Sequence, residues 1–190
     1  MTMSEMPTIV ARWRDWAGQG LEHLVLRGGK RGWLAISSVI GETDGERFAA
    51  EHIVECDPKW RTKKAAVRIV STAQGVMLSS DGKGNWRDQQ ADRPLPVLDG
   101  AIDVDITCTP FTNTLPIRRL GLEAGKSADI LVAYIDVPSL RLTADPQRYT
   151  CLEPLRRYRF ESLGSDFVRE IEVDEHGLVV LYPGLFRRVL

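Results

Sequence analysis

The chain is expected to fold as an all-β protein of mainly antiparallel strands, on three coinciding observations. Period-2 alternation dominates, Gly-rich turns punctuate it at short intervals, and only one short stretch favours helix. In Phe48-Ala-Ala-Glu-His-Ile-Val-Glu-Cys, the set Phe48, Ala50, His52, Val54 and Cys56 faces one way while Glu51 and Glu55 face the other. Ile102, Val104, Ile106 and Cys108 alternate with Asp103, Asp105 and Thr107 in the same fashion. Both runs read as half-buried strands.

Taken in order, strands are expected over Ile9 to Trp16, Leu21 to Arg27, Trp33 to Ile40, Phe48 to Cys56, Lys64 to Thr72 and Val76 to Ser80. They continue over Ile102 to Cys108, Ile130 to Val137, Leu140 to Thr143, Tyr158 to Ser162, Phe167 to Val173 and Leu178 to Tyr182. The separators are turn sequences: Gly28-Gly29, Thr43-Asp44-Gly45, Asp81-Gly82-Lys83-Gly84-Asn85 and Glu175-His176-Gly177. Helix is expected only between Thr112 and Leu120, where a Thr or Asn side chain can cap. Asp88 to Gly100, with Pro94, Pro96 and several charges, reads as a surface linker.

A faint internal repeat spans that linker. Arg68-Ile-Val-Ser-Thr and the hairpin after it echo Arg159-Phe-Glu-Ser-Leu and its hairpin, each ending at Asp-x-x-Gly. The chain therefore reads as a single domain of two pseudo-repeated halves, about 1–93 and 94–190, neither with enough strands to bury its apolar face alone.

Composition excludes several classes. Lys+Arg 25 against Asp+Glu 26 leaves a net charge of -1, so no global field favours nucleic acid. No run of about 18 uncharged apolar residues exists, so no membrane span is expected. Met1 to Pro7 lacks the basic and apolar regions of an export signal, and a cytoplasmic location is expected. Cys56, Cys108 and Cys151 are odd in number and far apart, as reduced, buried thiols would be. His23, His52 and His176 show no metal-ligand spacing, no GxSxG elbow is present, and neither a metal nor a cofactor is expected. Gly121-Leu-Glu-Ala-Gly-Lys-Ser has one residue too few between its glycines for a phosphate loop and reads as a hairpin turn.

The densest chemistry lies in Asp103-Val-Asp-Ile-Thr-Cys-Thr-Pro-Phe-Thr-Asn-Thr-Leu-Pro-Ile-Arg-Arg, a strand entering a loop bracketed by Pro110 and Pro116. Asp103 and Asp105 project from one strand face roughly 7 Å apart, as a solvated face, as carboxylates paired to Arg118 and Arg119, or as a hard-cation site or acid/base pair. Phe111, Leu115 and Ile117 would form an exposed apolar lip, which serves as a ligand portal or packs on the sheet. Trp60 and Trp86, beside charged turns, are expected to be accessible.

This segment, with Glu51 to Trp60 and the ending Val173-Asp-Glu-His-Gly-Leu-Val-Val-Leu-Tyr-Pro-Gly-Leu-Phe-Arg-Arg, resembles a glycolipid-binding family of bacterial proteins once filed as a domain of unknown function. The resemblance runs from Trp13 to Arg188. It implies a duplicated, curved sheet forming a half-barrel or open barrel, distantly similar to periplasmic lipoprotein carriers, with a concave apolar surface suited to a lipid. The function expected is non-enzymatic binding of a lipid or glycolipid, by a monomer or homodimer. Candidate ligand-binding residues are Trp60, Trp86, Asp103, Asp105, Phe111, Asn113, Leu115, Arg118, Tyr149 and Tyr182, with basic pairs such as Arg118-Arg119 holding an anionic head group. An enzyme acting on a sugar or ester through Asp103 and Asp105, and a protein-interaction module, stand as alternatives.

Overall fold

The computed structural model describes residues 7–72 and 74–190; Met1 to Met6, on which the expectation for the N-terminus rests, lie outside the described residues. The chain forms β1 (Thr8–Asp15), β2 (Leu21–Gly29), β3 (Gly32–Thr43), β4 (Glu46–Cys56), β5 (Thr62–Ile69), β6 (Gly75–Ser80), β7 (Trp86–Asp88) and β8 (Arg93–Pro94). A second run holds β9 (Asp103–Ile106), α1 (Thr114–Leu120), β10 (Ser127–Ile135), β11 (Leu142–Glu153), β12 (Arg157–Ser162), β13 (Val168–Val173), β14 (Val179–Tyr182) and β15 (Phe186–Arg188). Among the described residues, all fifteen strands belong to one open sheet, ordered β8-β7-β6-β5-β4-β3-β2-β1-β15-β14-β13-β12-β11-β10-β9.

Consecutive strands pair because the turn sequences between them are short. Leu21–Gly29 meets Gly32–Thr43 in unbroken register from Leu21 opposite Ile40 to Gly29 opposite Gly32. The two meanders meet where β1 pairs with β15, Trp13 opposite Arg188. One pair departs from the antiparallel rule: β9 runs parallel to β10, with Val104 opposite Ala133. The chain between them passes through α1, the crossover that parallel neighbours require.

The sheet bends over on itself. Although β5 and β9 are far apart in strand order, the Val104 amide donates to Thr62 Oγ1 at 3.2 Å. The hollow this creates is filled by the two-proline segment. A 3₁₀ turn at Phe111–Asn113 runs directly into α1, and Phe111, Leu115 and Ile117 are 1%, 0% and 2% exposed. Phe111 and Leu115 pack with Trp13, Leu24, Leu26 and Val54, while Ile117 joins Tyr149, Tyr158, Phe160 and Tyr182, so this one segment touches both cores. The expected apolar lip is therefore an internal plug. All seven positions from Phe111 to Ile117 are buried, which leaves no face to show to solvent, and the sheet's own inner residues supply the partners.

Helix α1 lies where expected but is capped differently. Its N-cap, Asn113, makes no side-chain cap; instead Thr109 Oγ1 accepts the Phe111 amide at 3.1 Å, Gly121 closes the helix at φ 55, and Arg118 and Arg119 occupy the dipole-favoured last turn. Gly121 to Lys126 consequently links helix to strand and is not a hairpin. Asp88 to Gly100 runs at the surface as expected but is anchored to the core. Leu95 and Leu98 are 8% and 0% exposed, Trp86 Nε1 donates to Ala101 O at 2.7 Å, and the Gly100 amide donates to Gly84 O at 2.9 Å. A Cβ on Gly84, whose φ is +103, would sit 2.8 Å from Gly100 Cα, so glycine is what lets these backbones meet.

The short strands β7, β8 and β15, and the extension of β11 through Pro146, carry too few alternating residues to announce themselves. On the convex face, register aligns Val10, Val25, Ile36, Ile53, Ala66 and Met77 across β1 to β6 into one apolar row.

Candidate functional site

Three inward-facing positions on adjacent strands are polar where their neighbours are apolar. Glu22 shares its face of β2 with Leu24 and Leu26, Ser37 sits between Ala35 and Val39 on β3, and His52 between Ala50 and Val54 on β4. Glu22, Ser37 and His52 are 2%, 2% and 1% exposed. A buried carboxylate is costly without donors, and this one has three on a single oxygen. Glu22 Oε1 accepts from Ser37 Oγ at 2.7 Å, from His52 Nε2 at 3.0 Å and from Thr109 Oγ1 at 2.8 Å. Thr109 opens the two-proline segment, so the same carboxylate also ties the plug to the sheet.

Glu22 Oε2, by contrast, is buried and has no hydrogen-bond partner. Glu22 lines a pocket of about 280 Å³ at the end of the hollow left open by the plug. Its walls are Trp13, Trp16, Val39, Ile40, Phe48 and Phe186, and Thr107 and Cys108 bring it to the edge of the two-proline segment. Trp16 and Ile40 at its rim are 50% and 55% exposed. Burial, and then the Glu22 carboxylate, pushes the Cys108 thiol well up, so it stays protonated and unreactive near neutral pH. All three cysteines are buried and free, as expected.

None of the ten residues singled out from the sequence lines this pocket. Trp60 and Trp86 are buried, not accessible: Trp60 stacks on Trp33 at 4.5 Å between ring centroids, and Arg118 lies over Trp60 at 5.5 Å. Charged neighbours in a turn do not prevent a large indole from turning inward, which explains that misplacement. Arg118 thus caps an aromatic ring. Asn113 Oδ1 accepts from Tyr149 OH at 2.9 Å, and Tyr149 and Tyr182 flank Phe160 in the second core. Phe111 and Leu115 belong to the plug.

The aspartates also go separate ways. Asp103 is fully buried and held by Arg119, whose Nε donates at 2.9 Å to Oδ1 and whose Nη2 donates at 2.6 Å to Oδ2. Asp105 accepts from Thr112 Oγ1 and Gln147 Nε2, each at 2.8 Å. The expected solvated face is absent because β9 is covered on that side by α1 and β11. Among the described residues no cluster of three metal-ligating side chains occurs, and no helix is long and apolar enough to cross a membrane.

Burial pushes the Asp105 carboxyl above its ordinary range, opposed by the Gln147 and Thr112 hydrogen bonds and reinforced by Asp145. The folded state therefore holds this proton more tightly than the unfolded chain. Between the ordinary carboxylate value of about 3.9 and the raised one, stability falls as pH rises, by up to about 1.4 kcal/mol per pH unit, and stays lower above. Urea unfolding of Asp105→Asn over pH 3 to 8 should lack this component. A wild-type minus variant difference that is flat, or rises with pH, contradicts the assignment.

The sequence and the fold find counterparts in known proteins. A family profile described as "Putative glycolipid-binding" matches residues 10–188. A DUF1089 family protein from Pseudomonas aeruginosa, known from its crystal structure, is similar at 37% identity, with 90% of this chain and 92% of that chain covered and a TM-score of 0.79. No curated protein matches. With almost its whole length matched, the chain belongs to the family described as "Putative glycolipid-binding".

Proposed function

We propose that the protein binds an amphiphile of the glycolipid class without chemical turnover, seating the polar end in the Glu22 pocket and laying the apolar part over the rim. One observation carries this reading: Glu22, whose buried Oε2 has no hydrogen-bond partner, lines a pocket whose walls are mainly apolar and aromatic, with Asp15 and Glu42 beside it. A ligand hydroxyl supplies the missing donor, and the half-buried rings of Phe48 and Phe186 offer faces for a sugar ring. At about 280 Å³ the pocket lies just below the usual range of ligand sites, roughly 300–1,000 Å³. It suits a sugar-sized head group rather than an entire lipid, since the remaining hollow is occupied by Phe111, Leu115 and Ile117.

The apolar part then rests on Trp16, Leu21 and Ile40, which are 50%, 40% and 55% exposed, gaining about 0.8 kcal/mol per methylene buried. The family description points the same way. Geometry speaks for binding over catalysis. Ser37 donates to Glu22 instead of to His52, the Cys108 thiol is not activated, and Asp103 and Asp105 have their oxygens engaged away from the pocket.

Titration with octyl glucoside below its micelle concentration, followed by tryptophan fluorescence, tests the reading. Saturable quenching is expected, weakened at least about five-fold in Ile40→Glu, a surface change that leaves folding within about 0.5 kcal/mol. Lipid mass spectrometry of the purified protein is the companion measurement. Absence of saturable binding together with absence of any co-purifying amphiphile would refute the proposal.

A further inference from the structure

We infer that the pocket selects its ligand's head group by charge, taking a neutral, hydroxyl-bearing head and rejecting an anionic one; this rests on the binding reading above. The charged residues that line it are Asp15, Glu22 and Glu42, and no Lys or Arg does. Glu42 is paired with Arg47, whose Nε lies 3.1 Å from Glu42 Oε2 at the exposed rim. Asp15 Oδ1 accepts the Gln19 amide at 2.8 Å and, among the described residues, Asp15 has no ion-pair partner. Glu22 is the decisive group. It is 2% exposed, its Oε1 is saturated by Ser37, His52 and Thr109, and its Oε2 is an acceptor with nothing to accept.

An acceptor of this kind discriminates in one direction. A sugar hydroxyl brings a proton to Oε2 and completes the carboxylate's bonding. A carboxylate or phosphate brings only further acceptors, placed beside Glu22 and Asp15 inside apolar walls where the repulsion is weakly screened. The Arg side chains that an anionic head group would need do not line the pocket: Arg118 lies over Trp60, Arg119 clasps Asp103, and Arg188, whose Nη1 binds Asp174 at 2.7 Å while its Nε and Nη2 are buried without partners, lies over Trp13. The Arg118-Arg119 pair that suggested an anionic ligand in the sequence is thus committed to Trp60 and Asp103.

Glu22→Gln is the pointed substitution. The amide keeps a carbonyl oxygen for Ser37, His52 and Thr109 and replaces the unpartnered acceptor with an NH₂ donor, so shape is conserved while polarity at that point is inverted. Octyl glucoside and octyl glucuronide differ by one carboxylate on the same ring and form a matched pair. For the wild type we expect the glucuronide to bind at least about 10-fold more weakly than the glucoside, since like-charge contact costs several-fold in affinity. In Glu22→Gln the gap should narrow at least about five-fold, with thermal unfolding confirming the fold. Should that variant fail to fold, Asp15→Asn, at the partly exposed end of β1, is expected to narrow the gap in the same sense. Equal or tighter binding of the glucuronide by the wild type overturns charge selection and leaves the binding proposal standing. Binding of neither compound overturns both.

Discussion

Replacing Arg119 by alanine is expected to destabilise the protein by about 3–5 kcal/mol, the cost of stranding a buried carboxylate. Asp103 is 0% exposed and its side chain takes both Nε and Nη2 of Arg119, whose own side chain is only 15% exposed. Burial pushes the Asp103 carboxyl up and the guanidinium opposes it, so removal of Arg119 leaves only the unfavourable influence. The variant is predicted to restore neutrality by holding a proton on Asp103, and to be less unstable at pH 4 than at pH 8. Asp103→Asn in the same background should recover a large part of the loss, because a neutral amide need not be desolvated as an ion. Arg148→Ala is the control. Its partner Asp129 is 55% exposed and their contact lies at the surface, where such pairs contribute about 0–1 kcal/mol. Urea unfolding of the three variants decides the matter, and a loss under about 1 kcal/mol in Arg119→Ala would show that the clasp on β9 contributes nothing special.

Phe111→Ala should cost a similar amount, about 3–5 kcal/mol, the range for removing a fully buried aromatic ring. Phe111 is 1% exposed and sits in the larger core, and the Thr109 hydroxyl that receives its amide is itself bonded to Glu22. The hollow of the sheet is stabilised by this filling, so deleting the ring leaves a cavity that β2, β4 and β9 can close only partly. Were Phe111 a movable lip over a lipid channel, its loss would cost under about 1 kcal/mol and would instead speed ligand entry. Equilibrium unfolding and stopped-flow binding separate these two outcomes. Leu115→Ala, 0% exposed in the next turn, is expected to follow at about 2–5 kcal/mol.

The elements carrying clear alternation were legible in the sequence. Phe48 to Cys56 lies in β4, Ile102 to Cys108 contains β9, and hairpins follow Gly28-Gly29, which end β2, and turn at Asp44-Gly45. Alternation works because a strand with one buried face must place every second side chain inward. It failed for β7, β8 and β15, which are three residues long or shorter and are held by neighbours, not by pattern. The site was less legible. A signal existed in Glu22 sharing a face with Leu24 and Leu26, and in His52 and Ser37 among apolar partners, since a polar residue in an apolar register demands a reason. Only the pairing of β2, β3 and β4 gathers those three residues around one oxygen, and Thr109 reaches it from 87 positions away.

By itself the sequence determined the all-β class, the hairpins, the one helix and the family, because these depend on local periodicity, turn chemistry and residue identity. Tertiary structure alone decided that the two-proline segment lies inside the bent sheet, that Trp60 and Trp86 turn inward, and that the aspartates of β9 are engaged by Arg119, Thr112 and Gln147. The physical reason is that an inward strand position states only that a side chain leaves water. What it meets there is set by which distant strands the sheet's register and curvature bring opposite it.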